Sequence, residues 1–445
     1  MSGAGLRAVL RRDGYEGNVP AAIAARGLLS DRQSKALHAD LDGDGIGVDG
    51  LAPPVFDTVE HLGRVGLVAL ADDGGTARLE PVSESFALGA DHDLNGRSSW
   101  KLSKFQYVQV EDGTPTVRSP LGASKVKVTA PEALSLLGRF SEPTTVKRAL
   151  SHGDLGNRAA GFVDMLARAE IILPCDADGQ TADDLNVDRR MWDFHELLYH
   201  SQSRMGRNGL RIGATWEFQG DIPKPPVLDV DKWAERPTIP LYRPMHLSRD
   251  LPLFEAMETR RSVRAYSPAP VAGWELGEFL WRTMRVRSLT NQDGFEMAAR
   301  PYPNGGGIYE QELYVTIEAC ADLPRGFYYY DPVAHALRHV SDPDDNMARL
   351  VDEAVSATAG LGRPQILFTI ASRFGAFNWK YSSMCYAAQL KNVGVIYQTM
   401  YLVATAMGLG GCGLGLGNAD RFAAMTGFDY VTEGSIGEFM IGRPL

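Results

Sequence analysis

The order of apolar and polar positions divides the chain into two regions of different character. In the first region, residues 54–79 predict a helix and then a hairpin that turns at residues 72–75, and residues 131–175 predict three short helices and an apolar strand. In the second region, longer elements are predicted: strands over 313–317 and 365–375, and an apolar helix over about 383–407. We therefore expect separate domains.

A proline-rich segment lies between the two regions. Seven prolines fall within 30 residues: Pro223, Pro225, Pro226, Pro237, Pro240, Pro244 and Pro252. Because proline fixes φ and lacks an N–H group, we interpret residues 221–252 as an extended linker. The predicted domains are a mixed α/β module at 1–125, for which a winged-helix-like fold is one option, a second winged-helix-like module with a connecting helix at 126–220, and an α+β domain at 253–445.

Charge argues against nucleic acid as the partner of these modules. Winged helices often read DNA, but residues 131–175 contain five basic and five acidic residues. The whole chain has 45 Lys and Arg against 55 Asp and Glu, a formal net charge of −10. A peptide or a subunit interface therefore suits the modules better than a polyanion.

Cysteine usage and apolar segments predict a cytoplasmic protein. The four cysteines form no CxxC pair, so neither a disulfide framework nor a structural zinc site is indicated. The N-terminal residues lack the apolar stretch of a secretory signal. The most apolar run, residues 393–407, is 15 residues long and contains polar positions, which is too short for a membrane span.

Two motifs imitate metal sites. Residues 40–45 resemble half of a calcium loop, but Leu51 stands where a bidentate Glu is required, so we expect an acidic solvated turn. His195 and His200 are five residues apart, whereas two zinc ligands on one helix face must be four apart. We predict no metal site.

Two clusters carry candidate chemistry. Arg260, Arg261, Ser262 and Arg264 suit a phosphate group, although a solvated basic helix end explains the same residues. The segment Pro303-Asn304-Gly305-Gly306 would let backbone approach a flat ligand, although a flexible loop is an equal alternative.

The glycines of residues 408–417 form a third candidate. They follow a predicted helix instead of lying between a strand and a helix, which argues against a Rossmann site for NAD. We expect a glycine-rich loop that approaches a planar ring.

Six strings in order resemble a known family. TRRSVRAY, PYPNGGGIYEQELYV, GFYYYDP, NWKYSS, LKNVGVIYQTMYLVATAMGLGGCGLG and IGEFMIGRP resemble the nitroreductase-like flavoproteins, in particular the SagB-type peptide dehydrogenases that oxidise azolines. WDFHELLYHSQSRMGR resembles the segment that this branch carries before its flavin domain. The resemblance covers residues 190–445 well and residues 1–130 poorly.

The resemblance implies FMN as cofactor and a homodimer with FMN at the subunit interface. Asn304 replaces the family's usual serine. By position, the implied FMN-binding residues are Arg260, Arg261, Ser262, Arg264, Pro303, Asn304, Gly305, Gly306, Gly413, Leu414, Gly415 and Arg443.

The resemblance also assigns catalysis to Lys380 and Tyr381. Azoline aromatisation removes a proton and a hydride from adjacent ring carbons, which requires a general base and a proton donor beside the flavin. Without the resemblance, a surface lysine and a packed tyrosine would be the simpler interpretation. His195, His200 and Arg204 would either line a substrate channel or, as we prefer, pack and link the regions.

The predicted function is FMN-dependent dehydrogenation of thiazoline or oxazoline rings in a ribosomally made precursor peptide, within a complex that includes a cyclodehydratase. An NAD(P)H-dependent nitro or quinone reductase and a non-catalytic scaffold subunit remain alternatives.

Overall fold

The computed structural model describes residues 6–11, 19, 22–23, 27–49, 51–65, 67–88, 92–94, 97–151, 159–207, 209, 211–229, 231–245, 250–292 and 295–445. Most of the N-terminal segment considered above lies outside these residues. The chain forms two compact units, Met1–Ile212 and Gly213–Leu445.

Unit 1 alternates short helices and strands. Its strands are β1 (Leu6–Leu10), β2 (Ile46–Gly47), β3 (Val68–Asp72), β4 (Ala77–Pro81), β5 (Ser99–Leu102), β6 (Tyr107–Glu111), β7 (Thr114–Arg118), β8 (Ser124–Val128), β9 (Thr144–Thr145) and β10 (Ile172–Pro174). Its helices are α1 (Asp31–Asp42), α2 (Pro53–Arg64), α3 (Leu134–Leu137), α4 (Val146–Leu150), α5 (Ala160–Arg168), α6 (Ala182–Leu185), α7 (Val187–Arg190) and α8 (Phe194–Gln202).

One hydrophobic core joins most elements of unit 1. Seven antiparallel strands pair in the order β2-β1-β3-β4-β8-β7-β6, and β10, β5 and β9 form a second sheet. Buried apolar residues from Leu6 to Ile172 belong to one cluster. The predicted boundary near residue 125 is therefore wrong, because β8 and the helices after it share that core with β1.

The helices and strands predicted locally in unit 1 agree with the structure. The helix and hairpin predicted at 54–79 are α2, β3 and β4, with β3 and β4 antiparallel. The predicted order of helices and a strand over 131–175 is present as α3, α4, α5 and β10. A winged-helix assignment for this part stays a prediction.

Unit 2 contains the longer elements. Its strands are β11 (Gly213–Ala214), β12 (Thr238–Pro240), β13 (Ser288–Gln292), β14 (Phe295–Ala299), β15 (Gln311–Ile317), β16 (Gly326–Asp331), β17 (Ala336–Ser341), β18 (Ile366–Arg373), β19 (Tyr381–Ser382), β20 (Gly410–Leu414) and β21 (Glu433–Gly442). Its helices are α9 (Leu253–Thr259), α10 (Gly273–Thr283), α11 (Asp345–Ala357), α12 (Phe374–Asn378), α13 (Cys385–Ala406) and α14 (Ala419–Thr426).

The centre of unit 2 is a seven-stranded antiparallel sheet with the order β12-β17-β16-β15-β18-β21-β20. All seven residues of β15 are buried, as expected for a strand covered on both faces. Helix α13 packs Val393, Ile396 and Met400 into the core on one face of this sheet. The α+β fold class predicted from the sequence is confirmed for this region.

The proline-rich segment is part of unit 2, so its interpretation as a linker at 221–252 is wrong. Strand β12 lies within the segment and pairs with β17. Arg373 donates to the carbonyl oxygens of Pro226 and Val227 at 2.8 and 2.7 Å. Prolines are compatible with this arrangement because β12 lies at the edge of the sheet, where a missing N–H group breaks no central ladder.

A buried ion pair anchors the same segment to the sheet. Lys232 forms a salt bridge with Glu433, and both residues are almost completely buried. The hydroxyl of Tyr314 donates to Glu433 at 2.8 Å, and the Lys232 ammonium lies 5.3 Å from the ring centre of Phe428. Such a pair is costly to break, because removing one partner leaves the other charge without compensation.

No helix in the described part of the chain combines the length and apolar character that a bilayer crossing requires.

We predict that Lys232→Ala destabilises the protein by about 3–5 kcal/mol, since Glu433 would remain buried without its cation. Urea unfolding of the purified protein measures the change. Lys224→Ala, on the exposed part of the same segment, is the control and should change the free energy of unfolding by less than about 0.5 kcal/mol. Equal losses in the two variants would contradict an anchoring role for the pair.

Candidate functional site

Residues 260–264, the arginine corner, lie where α9 ends. Ser262 forms a parallel bridge with Gly411, and the backbone N–H of Val263 donates to the Gly411 carbonyl at 2.9 Å. Within the part of the chain that the structure describes, Arg260, Arg261 and Arg264 form no salt bridge. The corner therefore concentrates positive charge beside the edge strand β20, where an anion would be favoured.

The hydroxyl of Tyr401 joins the arginine corner to the glycine stretch. It lies 2.9 Å from the Ser262 hydroxyl and accepts a hydrogen bond of 2.8 Å from the backbone N–H of Gly413. The guanidinium carbon of Arg260 lies 5.1 Å from the centre of the Tyr401 ring, within the range of a cation–π contact. One phenol on α13 therefore connects residues that are 151 positions apart in sequence, Ser262 and Gly413.

The glycine stretch is a strand where the sequence suggested a loop. Gly410–Leu414 forms β20 and pairs antiparallel with β21. A side chain at Gly413 would lie 3.1 Å from the Tyr397 ring, whereas Gly415 faces open space. Gly413 therefore allows α13 to pack closely against the edge strand β20. The strand ends at Leu414, one residue before the open position at Gly415.

The predicted phosphate ligand Arg443 already has a partner. Its guanidinium forms a salt bridge of 2.6 Å with Glu275 at the start of α10, and its backbone N–H donates to Gln365. The carbonyl of Arg443 accepts from Ser267, which brings the end of β21 close to the chain that follows the arginine corner. A phosphate contact by Arg443 stays a prediction.

The segment Pro303-Asn304-Gly305-Gly306 is an ordered turn. The Asn304 side chain accepts from the backbone N–H groups of Ile308 and Tyr309 and donates to Glu310 and Gln311. Asn304 therefore holds the turn from within. Its amide is occupied by these internal contacts.

Gly305 and Gly306 connect this turn to neighbouring elements. The backbone N–H of Gly305 donates to Asn392 on α13 at 3.1 Å. Gly306 has φ of +65°, and a side chain there would lie 2.5 Å from the Tyr381 hydroxyl. The close approach of Tyr381 therefore requires glycine at this position.

Lys380 and Tyr381 are held by the first residues of unit 2. Strand β19, which begins at Tyr381, pairs with β11, and the backbone N–H of Trp216 donates to the Lys380 carbonyl at 3.2 Å. The Tyr381 ring stacks on Phe377 with centroids 4.9 Å apart. The Lys380 ammonium lies 5.0 Å from the Trp216 ring and 5.2 Å from the Tyr381 ring. The lysine and the tyrosine are thus both half-buried and placed side by side.

The contacts between predicted site residues form two groups, one on each flank of α13. Tyr401 holds the arginine corner and Gly413, whereas Asn392 holds the turn that contacts Tyr381. Nine residues separate Asn392 from Tyr401, which corresponds to about 13 Å along the axis and about half a turn around it. The structure therefore brings the arginine corner together with Gly413, and the turn at 303–306 together with Tyr381. These two groups lie on different sides of α13.

Sequence reasoning missed Asn392 and Tyr401. Both lie in the apolar helix pattern, where a buried amide and a partly buried phenol are unusual. A polar residue inside a predicted buried helix was the signal that could have identified Asn392.

Two motifs in the sequence resemble metal sites, at residues 40–45 and at His195 and His200. Among the described residues, no cluster of His, Cys, Asp and Glu could bind a metal ion. Asp40, Asp42 and Asp44 are exposed around the end of α1. His200 stacks on Trp192 with ring centroids 5.6 Å apart, which fits a packing role.

Comparison with known families finds two matches in separate parts of the chain. The nitroreductase family matches residues 257–443, and the cyanobactin oxidase ThcOx family matches residues 100–209. A curated nitroreductase relative from Methanocaldococcus jannaschii is 26% identical over 166 residues, which cover 37% of this chain and 79% of the relative.

Solved structures of similar proteins include a nitroreductase from Ralstonia eutropha, with 21% identity and a TM-score of 0.38 over 53% of this chain and 99% of that one. A chain of the E. coli microcin synthetase McbBCD complex with truncated pro-MccB17 bound matches with 20% identity and a TM-score of 0.34, over 52% of this chain and 88% of that one.

Residues 257–443 thus match the nitroreductase family and residues 100–209 match the cyanobactin oxidase ThcOx family, and both matches indicate an oxidoreductase.

Proposed function

We propose that the protein uses FMN to oxidise thiazoline or oxazoline rings to thiazoles or oxazoles in a ribosomally made, modified peptide. The observation that carries this proposal is the placement of Lys380 and Tyr381 against the turn at Gly306, inside a nitroreductase-family domain. The cyanobactin-oxidase segment in the same chain supports a peptide substrate.

The described residues fit FMN in two respects. The arginine corner presents three guanidinium groups without carboxylate partners among the described residues, which suits the charge of a phosphate. Gly415 faces open space and leaves backbone surface without a side chain, which suits contact with a planar ring system.

Lys380 and Tyr381 would handle protons in this reaction. FMN, when bound, supplies the acceptor for the hydride that leaves the azoline ring. Lys380 would take the proton from the adjacent ring carbon, and Tyr381 would donate a hydrogen bond to the substrate. The stacked rings of Phe377 and Tyr381 and the neighbouring Trp216 would exclude water from the Lys380 amine.

The two-flank arrangement supports a homodimer. A second copy could place its turn of residues 303–306 against the arginine corner of the first and complete one binding site. Leu253, Phe254 and Met257 on α9 are exposed apolar residues beside α13, as expected of a surface that a second copy covers. The precursor peptide and a cyclodehydratase are the further partners that we propose.

We predict that an azoline-containing peptide bleaches the visible absorbance of bound FMN under anaerobic conditions without nicotinamide. The flavin accepts the two electrons that leave the ring, so no other reductant is needed. Stopped-flow absorbance measures the bleaching. Bleaching by NAD(P)H alone would instead support a nitro or quinone reductase, and purified protein that takes up no FMN would support a scaffold.

We predict that Lys380→Met and Tyr381→Phe each lower kcat for azoline oxidation by about 10²–10⁴-fold, as expected for groups that transfer protons, while bound FMN is retained. Steady-state kinetics and the flavin absorbance spectrum measure the two effects. Lys224→Met and Tyr242→Phe, at exposed positions, are the matched controls. Full activity of both site variants would remove the assignment.

We predict that Tyr401→Phe weakens FMN binding by about tenfold, since it removes the hydroxyl that holds Ser262 and Gly413 in place. Fluorescence titration of the apoprotein with FMN measures the dissociation constant, and Tyr242→Phe again serves as the control. An unchanged constant would mean that the connection does not position the cofactor.

A further inference from the structure

A cavity of about 530 Å³ lies at the end of strand β20. Half of its wall residues are aromatic or aliphatic, among them Phe374, Tyr386, Leu414 and Tyr430, and Asn378, Ser435 and Glu438 are polar. We call it the Glu438 cavity. Planar apolar groups are the ligands that such walls favour, with the polar residues setting their orientation.

Glu438 is a buried carboxyl group with an unused hydrogen-bonding atom. The residue is 4% exposed, and its Oε1 atom has no hydrogen-bond partner among the residues that the structure describes. Its carboxyl lies against Gly417, another wall residue, where a side chain would come within 2.3 Å of Oε1. Because a buried polar group without a partner is costly, this atom calls for a ligand or a functional explanation.

The surroundings of Glu438 disfavour its ionised form. Burial, together with the neighbouring Glu353 carboxylate, raises the pKa of this carboxyl to about 8. Arg421 from α14 does not compensate, because it pairs with Glu353 at 2.8 Å. The other titratable groups around the cavity are the phenols of Tyr386, Tyr397 and Tyr430. At pH 7 Glu438 is therefore mainly a neutral acid, which donates a hydrogen bond.

The cavity adjoins residues of both groups of the candidate site. Leu414 and Gly415, at the end of the glycine strand, line its wall. Asn378, also in the wall, precedes Lys380 by two residues and ends α12, the helix that carries Phe377. A ligand in the cavity would thus lie close to the segments that we propose for the flavin and for proton transfer.

The ligand that matches this chemistry is a planar five-membered ring with one hydrogen-bond acceptor. An anionic ligand would lack a cation among the cavity residues, and a neutral acid offers little attraction to a cation. An azoline or azole ring has an apolar face for the aromatic walls and a ring nitrogen that accepts from an acid. Donors that steady charge on that nitrogen favour the reaction, and a neutral acid in the cavity would supply one in addition to the hydrogen bond from Tyr381.

Resting on the proposed function, we propose that the Glu438 cavity binds the azoline ring of the peptide and that Glu438, as a neutral acid, donates a hydrogen bond to the ring nitrogen. Glu438 makes and breaks no covalent bond in this role. It orients the ring and stabilises charge on the nitrogen as the proton and hydride leave the adjacent carbons.

Calorimetric titration of the FMN-supplemented protein with 2-methylthiazole-4-carboxamide, a small mimic of the product ring, tests the proposal. For the wild type we expect binding about tenfold weaker at pH 9 than at pH 7, because an acid with a pKa of about 8 loses its proton across this interval. Glu438→Ala should bind at least about tenfold more weakly at pH 7.

Glu438→Gln keeps the shape of the side chain and a donor that does not titrate in this range, so its affinity should be the same at pH 7 and pH 9. Glu353→Gln should move the loss of affinity to lower pH, since it removes the carboxylate that raises the pKa of Glu438. Glu318→Gln, a residue that pairs with Arg325 and Arg363 outside the cavity, is the matched control and should behave as the wild type.

Wild-type affinity that is equal at pH 7 and pH 9, or Glu438→Gln that retains the wild-type pH dependence, would overturn the proposal. Turnover of an azoline peptide distinguishes this failure from failure of the proposed function. If neither the wild type nor any variant oxidises the peptide, the proposed function fails. If Glu438→Ala oxidises it with unchanged KM and pH profile, only the role of Glu438 fails.

Discussion

The packing of α13 against the central sheet is the constraint on which the candidate site depends. Val393, Ile396 and Met400 fix the rotation of the helix because they are buried in the core. That rotation places Asn392 on one flank and Tyr401 on the other, where each binds a separate backbone segment. A change in the helix face that meets the sheet would therefore displace the turn at Gly305 and the glycine strand together.

The proline-rich segment and the first residues of unit 2 extend this scaffold to the proposed catalytic pair. Residues 213–216 pair with the chain around Lys380 and Tyr381, and Lys232 is tied to Glu433 on β21. The chain before the nitroreductase-family domain thus contributes to the site's position. The proposed catalytic pair needs such support, because two adjacent residues outside the main sheet have little else to hold their orientation.

Charge is distributed unevenly around the site. Three guanidinium groups at the arginine corner face no carboxylate among the described residues, whereas Glu438 is buried beside a second carboxylate, Glu353. The first environment attracts an anion, and the second keeps an acid protonated. These two opposite environments lie at different ends of β20, next to Ser262 and Gly417 respectively.

The sequence by itself predicted the resemblance to the nitroreductase-like proteins, the α+β class of the second region and most of its regular elements, because apolar periodicity and short ordered strings are local properties. It predicted the arginine corner, the turn at Asn304 and the pair Lys380 and Tyr381 as separate segments. Only the tertiary structure decided that the glycine stretch is an edge strand, that described parts of the proline-rich segment pack on the sheet, and that Tyr401 and Asn392 contact candidate site residues while Glu438 lines the adjoining cavity. Those outcomes depend on which distant segments meet, and strand pairing, burial and the resulting pKa of Glu438 are set by neighbours that no local pattern specifies.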